Sequence, residues 1–224
     1  MRARIDEHGF AVSENVLPPE LVPALGVAFR EAVGDRPGVR TGLAFEVVQA
    51  LARSPGVRAL VEPLLGHGAF AFRATLFDKT MHANWFLAWH QDRVIPVQQR
   101  TDEVGFGPWS DKEDGVYVEP PTAILEQLLA VRVDLDGSGP RNGGLRLAAG
   151  THRLGVLDRH QMQAHLAVHG SVCPEVPASG ALCMRPLLAH CSSRSGAEAP
   201  RRIVHVEFAP AELRGHTKFR ANVR

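Results

Sequence analysis

From Ala69 to Phe208 the chain falls into short strand-like runs with turn residues standing between them. The runs cover residues 70–79, 87–92, 128–135, 145–149, 172–176, 181–188 and 201–208. Asp136-Gly137, Asn142-Gly143-Gly144 and Ser179-Gly180 supply the turn chemistry between several of them. Along 70–79 bulky and polar side chains interleave, so one strand face carries Arg73, Thr75, Phe77 and Lys79. Helical periodicity gathers in the first third. Pro19 opens a run with apolar residues at three- and four-residue steps through Phe29, and residues 43–52 repeat that period. Ser54-Pro55 then caps and starts a third helix ending near Gly66. Many short strands after a helical start predict a mainly β fold, a sandwich or jelly roll with α-helices packed outside.

A length of 224 residues is long for one domain and short for two, and single β-barrels or sandwiches reach it. The 45% hydrophobic content supports a real core. With 25 basic and 24 acidic residues, the net charge of +1 gives no pull toward nucleic acid or an anionic membrane surface. No apolar run approaches the ~20 residues that span a bilayer. The N-terminus lacks an apolar signal core, so a cytoplasmic location is expected. Cys173, Cys183 and Cys191 form no CxxC pair and read as free thiols. Residues 94–126 are rich in glycine, proline and charge, including Gly105-Phe106-Gly107-Pro108-Trp109 and Pro120-Pro121. Such a stretch is expected to be irregular and to serve as an active-site lid.

The chemistry concentrates at His90-Gln91-Asp92 and His190. Residues two apart on a strand share a face, so His90 and Asp92 point the same way, and Gln91 points away unless the strand bulges. With His190 from another strand, two imidazoles and one carboxylate make a facial triad that leaves the opposite side of a metal open. A hard carboxylate and no thiolate suit Fe(II) better than zinc. Arg201, eleven residues after His190, gives the fixed cation that a dicarboxylate co-substrate would need. Taken alone, His90 also reads as a core histidine beside Trp89. A second group, His160, His165 and His169, has no carboxylate or cysteine at ligand spacing. His165 and His169 share a helix face, and a solvated face is its simplest meaning. Cys191 adjoins His190 and reads as a small packing residue.

These residues carry a resemblance. Trp89-His90-Gln91-Asp92, the stretch Asn142-Gly143-Gly144-Leu145-Arg146-Leu147-Ala148-Ala149-Gly150-Thr151-His152-Arg153-Leu154-Gly155, Arg185-Pro186-Leu187-Leu188-Ala189-His190-Cys191-Ser192-Ser193 and Arg201-Arg202 together resemble the phytanoyl-CoA dioxygenase family of Fe(II)/2-oxoglutarate oxygenases. The likeness runs from about residue 66 to 208. Ala149 departs from the family's usual proline, and 194–200 lacks an asparagine often found there. Neither departure touches the triad.

The resemblance implies a double-stranded β-helix, cupin-like, with a metal at its open mouth. In that frame residues 1–224 are one oxygenase domain, with 1–66 as helical support, 67–210 as the β-helix core and 94–126 as its lid. His90, Asp92 and His190 would hold Fe(II). Arg201 would pair with the distal carboxylate of 2-oxoglutarate, and Ser192 would hydrogen-bond near it. Thr75 and Arg132 match inward positions that line the co-substrate pocket, although Arg132 equally reads as a structural ion-pair residue. Arg40 and Lys79 are further candidates for the same pocket, and Lys79 equally reads as a snorkelling surface lysine.

The implied reaction consumes O2, converts 2-oxoglutarate to succinate and CO2, and is supported by ascorbate. Asp92 fills the position that halogenases of this superfamily leave to chloride, which favours hydroxylation of a small organic molecule. A metal-dependent hydrolase or isomerase with a zinc-activated water remains an alternative. So do a non-catalytic binding protein on the same barrel and an oxygenase acting on a macromolecule. No motif fixes the substrate, its being a CoA ester, or the oligomeric state.

Overall fold

The computed structural model describes residues 1–34, 36–197, 199–216, 219 and 223. In chain order its strands are β1 (Phe10–Ser13), β2 (Gly38–Val39), β3 (Phe70–Lys79), β4 (Leu87–His90), β5 (Ile95–Val97), β6 (Trp109–Lys112), β7 (Gly115–Val118), β8 (Leu129–Asp134), β9 (Leu145–Leu147), β10 (Ala181–Met184), β11 (His190–Ser192) and β12 (Arg201–Ala209). The helices are α1 (Arg2–His8), α2 (Val22–Ala32), α3 (Glu46–Arg53), α4 (Pro55–Leu65), α5 (Thr122–Leu125), α6 (Arg159–His169) and α7 (Leu213–His216). A major sheet runs β1-β10-β8-β12-β3-β2, and a minor sheet runs β4-β11-β9. The sheets are antiparallel and jelly-roll in type, the double-stranded β-helix expected. Among the described residues no helix is long and apolar enough to cross a membrane.

Strand alternation divides the major sheet into two chemically different faces. On the outer face Ala74, Leu76, Val131, Val133, Val204 and Val206 join Leu25, Phe29, Val48, Leu51, Val57 and Val61 of α2 to α4 in one core. The inner face carries Arg73, Thr75, Phe77 and Lys79 of β3, Arg132 and Asp134 of β8, and Arg201, His205 and Glu207 of β12. The pairing puts Arg201 opposite Lys79, His205 opposite Thr75 and Arg132, and Glu207 opposite Arg73. Placing that many charges inside a barrel is costly unless they are matched by partners or a ligand. The helices thus make the outer face apolar and leave the inner face free for chemistry.

α4 starts and stops as the sequence predicts, whereas α2 and α3 each begin three residues later than the periodic runs, after a 3-10 turn. The Ser54 hydroxyl accepts from the Val57 amide at 3.5 Å, Pro55 occupies the first turn, and Gly66 closes α4 at φ 83°. Several strands are shorter than expected. β10 ends at Met184, because Pro186 has no N–H to give and restricts Arg185 before it. Residues 172–176 form only isolated bridges, at Val172 and Val176, with Pro174 between them.

The segment 94–126 is partly regular, against the expectation of an irregular stretch. β5, β7 and β6 form a small antiparallel sheet, in which Ile95, Val97, Tyr117 and Val118 are buried. Apolar alternation in Ile95-Pro96-Val97 and Val116-Tyr117-Val118 outweighs the surrounding glycine, proline and charge.

Candidate metal centre

β4 and β11 are neighbours in the minor sheet, and their register sets His90 directly opposite His190. The rings lie 4.2 Å apart between centroids. Each imidazole is oriented by its own backbone: Nδ1 of His90 lies 2.9 Å from the Ala88 carbonyl, and Nδ1 of His190 lies 2.8 Å from the Leu188 carbonyl. A carbonyl only accepts, so Nδ1 carries the proton and Nε2 offers its lone pair. Both Nε2 atoms face Asp92, at 3.8 Å from Oδ1 and 3.7 Å from Oδ2. Donor atoms of the three residues all lie within 4.8 Å of one another, and no other such group of three occurs among the described residues.

β4 ends at His90, two residues short of the expected end, yet Asp92 keeps its place. Its amide donates to the Pro186 carbonyl at 2.9 Å. Gln91, expected to point away, is buried and works as a brace. Its Nε2 donates to the carbonyls of Gly155 and Leu187 at 2.9 and 2.7 Å, and its Oε1 accepts from the Leu157 amide at 2.8 Å. Three bonds on one side chain fix the backbone between the histidine and the aspartate.

Burial pushes the His190 imidazole down to about 4, with Asp92 opposing the shift, so the ring is neutral at pH 7 and its lone pair is available. Burial alone would raise the Asp92 carboxyl. The neighbouring His190, His205, His90 and Arg73 outweigh it and hold Asp92 well below the usual carboxylate range. The donor set is therefore two imidazoles, each with Nε2 toward Asp92, and one anion. It fits a divalent first-row metal with open positions on the far side.

A cavity of about 580 Å³ opens in front of the triad. Thr75, Arg132, Ser192, Arg201 and Arg40 all line it, along with Phe77, Trp85 and Leu87. Arg201 is 2% exposed, and its Nε and Nη1 have no hydrogen-bond partner. Burial, the nearby Arg132 cation and a partial offset from Asp134 bring its pKa down to about 10. Arg202, on the other strand face, is bound by Asp136 at 2.9 Å from Nε.

Lys79 is not a snorkelling surface lysine. It is 0% exposed, and its Nζ donates to the Ser192 hydroxyl at 2.8 Å and the Ser193 carbonyl at 2.6 Å. Ser192 in turn donates to the Gly143 carbonyl at 3.0 Å. Gly143 has φ 70°, and a Cβ there would meet the Ser193 carbonyl oxygen at 2.6 Å. Only glycine lets the 142–144 turn approach β11 this closely. Burial first, then the Arg201 and Arg132 cations, depress Lys79 to about 8. Two neighbouring buried cations, one with unmade hydrogen bonds, form a receptor for an anion.

Sequence reasoning did not identify His205, Asp134 or the pairing of Arg73 with Glu207. Arg73 grips Glu207 through two guanidinium nitrogens, one of them Nη2 at 2.6 Å from Oε1. Nδ1 of His205 is 3.0 Å from Arg132, and its Nε2 is 3.7 Å from Glu207. The available signal was the alternation Arg201, Ile203, His205, Glu207 within an apparently apolar run. The second histidine group shows no metal geometry. His165 and His169 stack at 4.5 Å on α6, but His165 is bound to the Ala149 carbonyl and no third donor joins them. Cys173, Cys183 and Cys191 are free.

The fold and triad together define a metal-centred barrel of the cupin-like oxygenase class. No curated protein matches the chain. The family model of Phytanoyl-CoA dioxygenase (PhyH) matches residues 5–203, and the chain belongs to that family of Fe(II)/2-oxoglutarate-dependent dioxygenases. Among solved structures, EctD from S. alaskensis with 2-oxoglutarate and 5-hydroxyectoine is similar at TM-score 0.71 and 19% identity, over 94% of this chain and 75% of that one. HygX from Streptomyces hygroscopicus with iron bound gives 0.64 and 15%, over 94% and 87%. AviO1 from Streptomyces viridochromogenes Tue57 gives 0.65 and 18%, over 92% of each. At such identities the structural likeness carries the fold alone.

Proposed function

We propose that His90, Asp92 and His190 hold Fe(II), that Arg201 anchors 2-oxoglutarate, and that the enzyme hydroxylates a small organic molecule. The observation that carries this reading is Arg201, buried with two unpartnered nitrogens and opening onto the same cavity as the triad. A buried cation left unpaired is costly, and a dicarboxylate bound to the metal by its other end would complete it. The metal, when bound, supplies the O2-dependent oxidation that turns 2-oxoglutarate into succinate and CO2 and hydroxylates a C–H bond.

The chain's own residues do the positioning. The Ala88 and Leu188 carbonyls fix the imidazole tautomers. Gln91 holds the spacing of His90 and Asp92. Arg201 forms charge-assisted bonds with the distal carboxylate, and Lys79 adds positive potential through the bonded Ser192. Thr75 and Arg132 line the route between that end and the triad. Phe77, Trp85 and Leu87 keep water from one wall. A hydrolase would need a general base near the metal, and Glu207, the other carboxylate lining the cavity, is committed to Arg73. The free thiols suit a cytoplasmic location, and ascorbate is the supporting reductant.

Arg201→Ala tests the anchor. Losing one partner of a buried charge-assisted pair costs on the order of 2–5 kcal/mol. The variant should bind 2-oxoglutarate at least about thirtyfold more weakly by calorimetry. Arg202→Ala, which loses only the two guanidinium bonds to Asp136 on the other face, should leave that affinity within about twofold. The reverse ranking would reject Arg201 as the anchor.

Lys79 adds a pH signature. Its native pKa of about 8 lies below lysine's ordinary value of 10.5. As pH rises through 8 the lysine discharges, so 2-oxoglutarate affinity should fall. Between 8 and 10.5 the unfolded chain holds the proton that the native state has lost, so this group's contribution to stability rises with pH. Binding and stability should thus move in opposite directions, and Lys79→Met should flatten both. An unchanged binding profile in that variant would remove Lys79 from the site.

We also propose that segment 94–126 closes over the cavity, which Val94 and Lys112 line. Its portion between β5 and β6, residues 98–108, includes Val104 at 98% exposure. Amide exchange there should slow when iron, 2-oxoglutarate and substrate are bound. Equal exchange in loaded and empty protein would move gating to another element.

A further inference from the structure

The geometry points to a substrate that is an organic anion with an apolar body, its charged end held by Arg40 and Lys112 of the cavity lining. This rests on the oxygenase reading above and adds the substrate's chemical class. Six cations line the cavity, Arg40, Arg73, Arg93, Lys112, Arg132 and Arg201, against two carboxylates, Asp92 and Glu207. The whole chain carries only +1, so the excess is local.

Loading the site does not remove that excess. A divalent metal and a dianionic co-substrate cancel each other, and Asp92 cancels Arg201. Arg73 is matched by Glu207. Arg93 donates to Glu119 from Nε at 2.9 Å. Arg132 faces Asp134, which lies just behind the lining. Arg40 and Lys112 are left over. Among the described residues neither makes a hydrogen bond or an ion pair, and Lys112 only lies over the Tyr117 ring at 5.3 Å. Of the acids beside Lys112, Glu113 is exposed and the other two are engaged elsewhere. Asp111 binds Arg100 at 2.6 Å, and Asp114 accepts from the Tyr117 hydroxyl at 2.6 Å.

The wall alongside is apolar and braced. Phe77 and Trp85 lie 6.2 Å apart between centroids, Lys79 Nζ sits 4.7 Å over the Trp85 ring, and Leu87 continues the surface. A hydrophobic body laid on this wall extends toward the triad, and its anionic end reaches the two free cations. Clefts of this size hold a molecule with a few placed polar contacts.

The test uses three probes of one shape: 4-phenylbutyrate, 4-phenylbutyl phosphate and the neutral 4-phenylbutanamide. Each is titrated by calorimetry, without O2, into the Fe(II)-loaded protein with 2-oxoglutarate saturating, so that Arg201 is already taken. One or both anions should bind about tenfold more tightly than the amide, the preference expected from two partly exposed cations. It should weaken with added salt and fall below about twofold in the Arg40→Gln/Lys112→Gln double variant, titrated at a 2-oxoglutarate concentration first shown to saturate that variant. An amide equal to the anions, a preference that survives in the double variant, or no binding by either anion overturns the proposal. If wild-type protein fails to bind 2-oxoglutarate, the oxygenase reading itself is what falls.

Discussion

Asp92→Ala is expected to abolish coupled conversion of 2-oxoglutarate to succinate and to lower metal affinity more than about a hundredfold. Changes in the groups that merely orient metal ligands already cost ten- to a hundredfold, and Asp92 supplies a donor atom of its own. It is also the only anion in the donor set. Both histidine Nε2 atoms converge on its carboxylate, at 3.8 and 3.7 Å, and no other carboxylate or cysteine is placed to join them among the described residues. Without Asp92 the two imidazoles still face each other but bring no anion to a metal, and the flanking cations Arg73 and Arg132 lose a compensating charge. Metal affinity can be read by calorimetry with Mn(II), and turnover by succinate formation under O2. Arg201→Ala provides the contrast, since it should weaken the co-substrate and leave the metal bound. Full turnover in Asp92→Ala would sink the triad assignment, and so would wild-type protein that hydrolyses a substrate with zinc and without 2-oxoglutarate.

The parts of this molecule that follow local rules were legible in the sequence. Period-two alternation placed Arg73, Thr75, Phe77 and Lys79 on one face of β3, and the structure keeps them there, lining or backing the cavity. Ser54-Pro55 marked the start of α4 because a cap acts within one helical turn. The His-x-Asp spacing brought two ligands together, but Asp92 lies past the end of β4 and is held by the Pro186 carbonyl and the Gln91 brace, not by strand alternation. What local pattern could not supply was the partner across the sheet. Lys79 reads as a surface lysine until β11 places Ser192 and Ser193 against its ammonium. Gln91 reads as an outward residue until the 155–157 loop and Leu187 surround it. The 94–126 segment looked irregular because its glycines and prolines are local signals, whereas the pairing of β5 with β7 joins residues about twenty positions apart in sequence. Arg73 and Glu207 are the extreme case. They stand 134 residues apart, and only the register of β3 with β12 makes them neighbours.

That pair yields the second large effect. Glu207→Ala should destabilise the protein by about 3–5 kcal/mol, because it leaves the Arg73 guanidinium buried without its counter-charge. Glu207 is 2% exposed and accepts from two nitrogens of Arg73, so water cannot readily replace it. The Glu207 carboxylate holds the Arg73 charge in place, raising its pKa against the opposing effect of burial. At roughly 2–4 °C per kcal/mol for a chain of this size, the melting temperature should drop by about 6–20 °C. The loss belongs to the orphaned charge and not to the bond, which a second substitution can separate. Replacing both residues by leucine removes the carboxylate and the cation together. The double variant should recover much of the lost stability, since buried ion pairs are often neutral against apolar residues of similar volume. It should still be impaired in substrate turnover, because Arg73 and Glu207 line the cavity beside the triad. Recovered stability with unimpaired turnover would mean that the pair serves the fold alone. A Glu207→Ala protein that melts within a degree or two of wild type would mean that solvent reaches Arg73 and that the inner face is wetter than its burial implies.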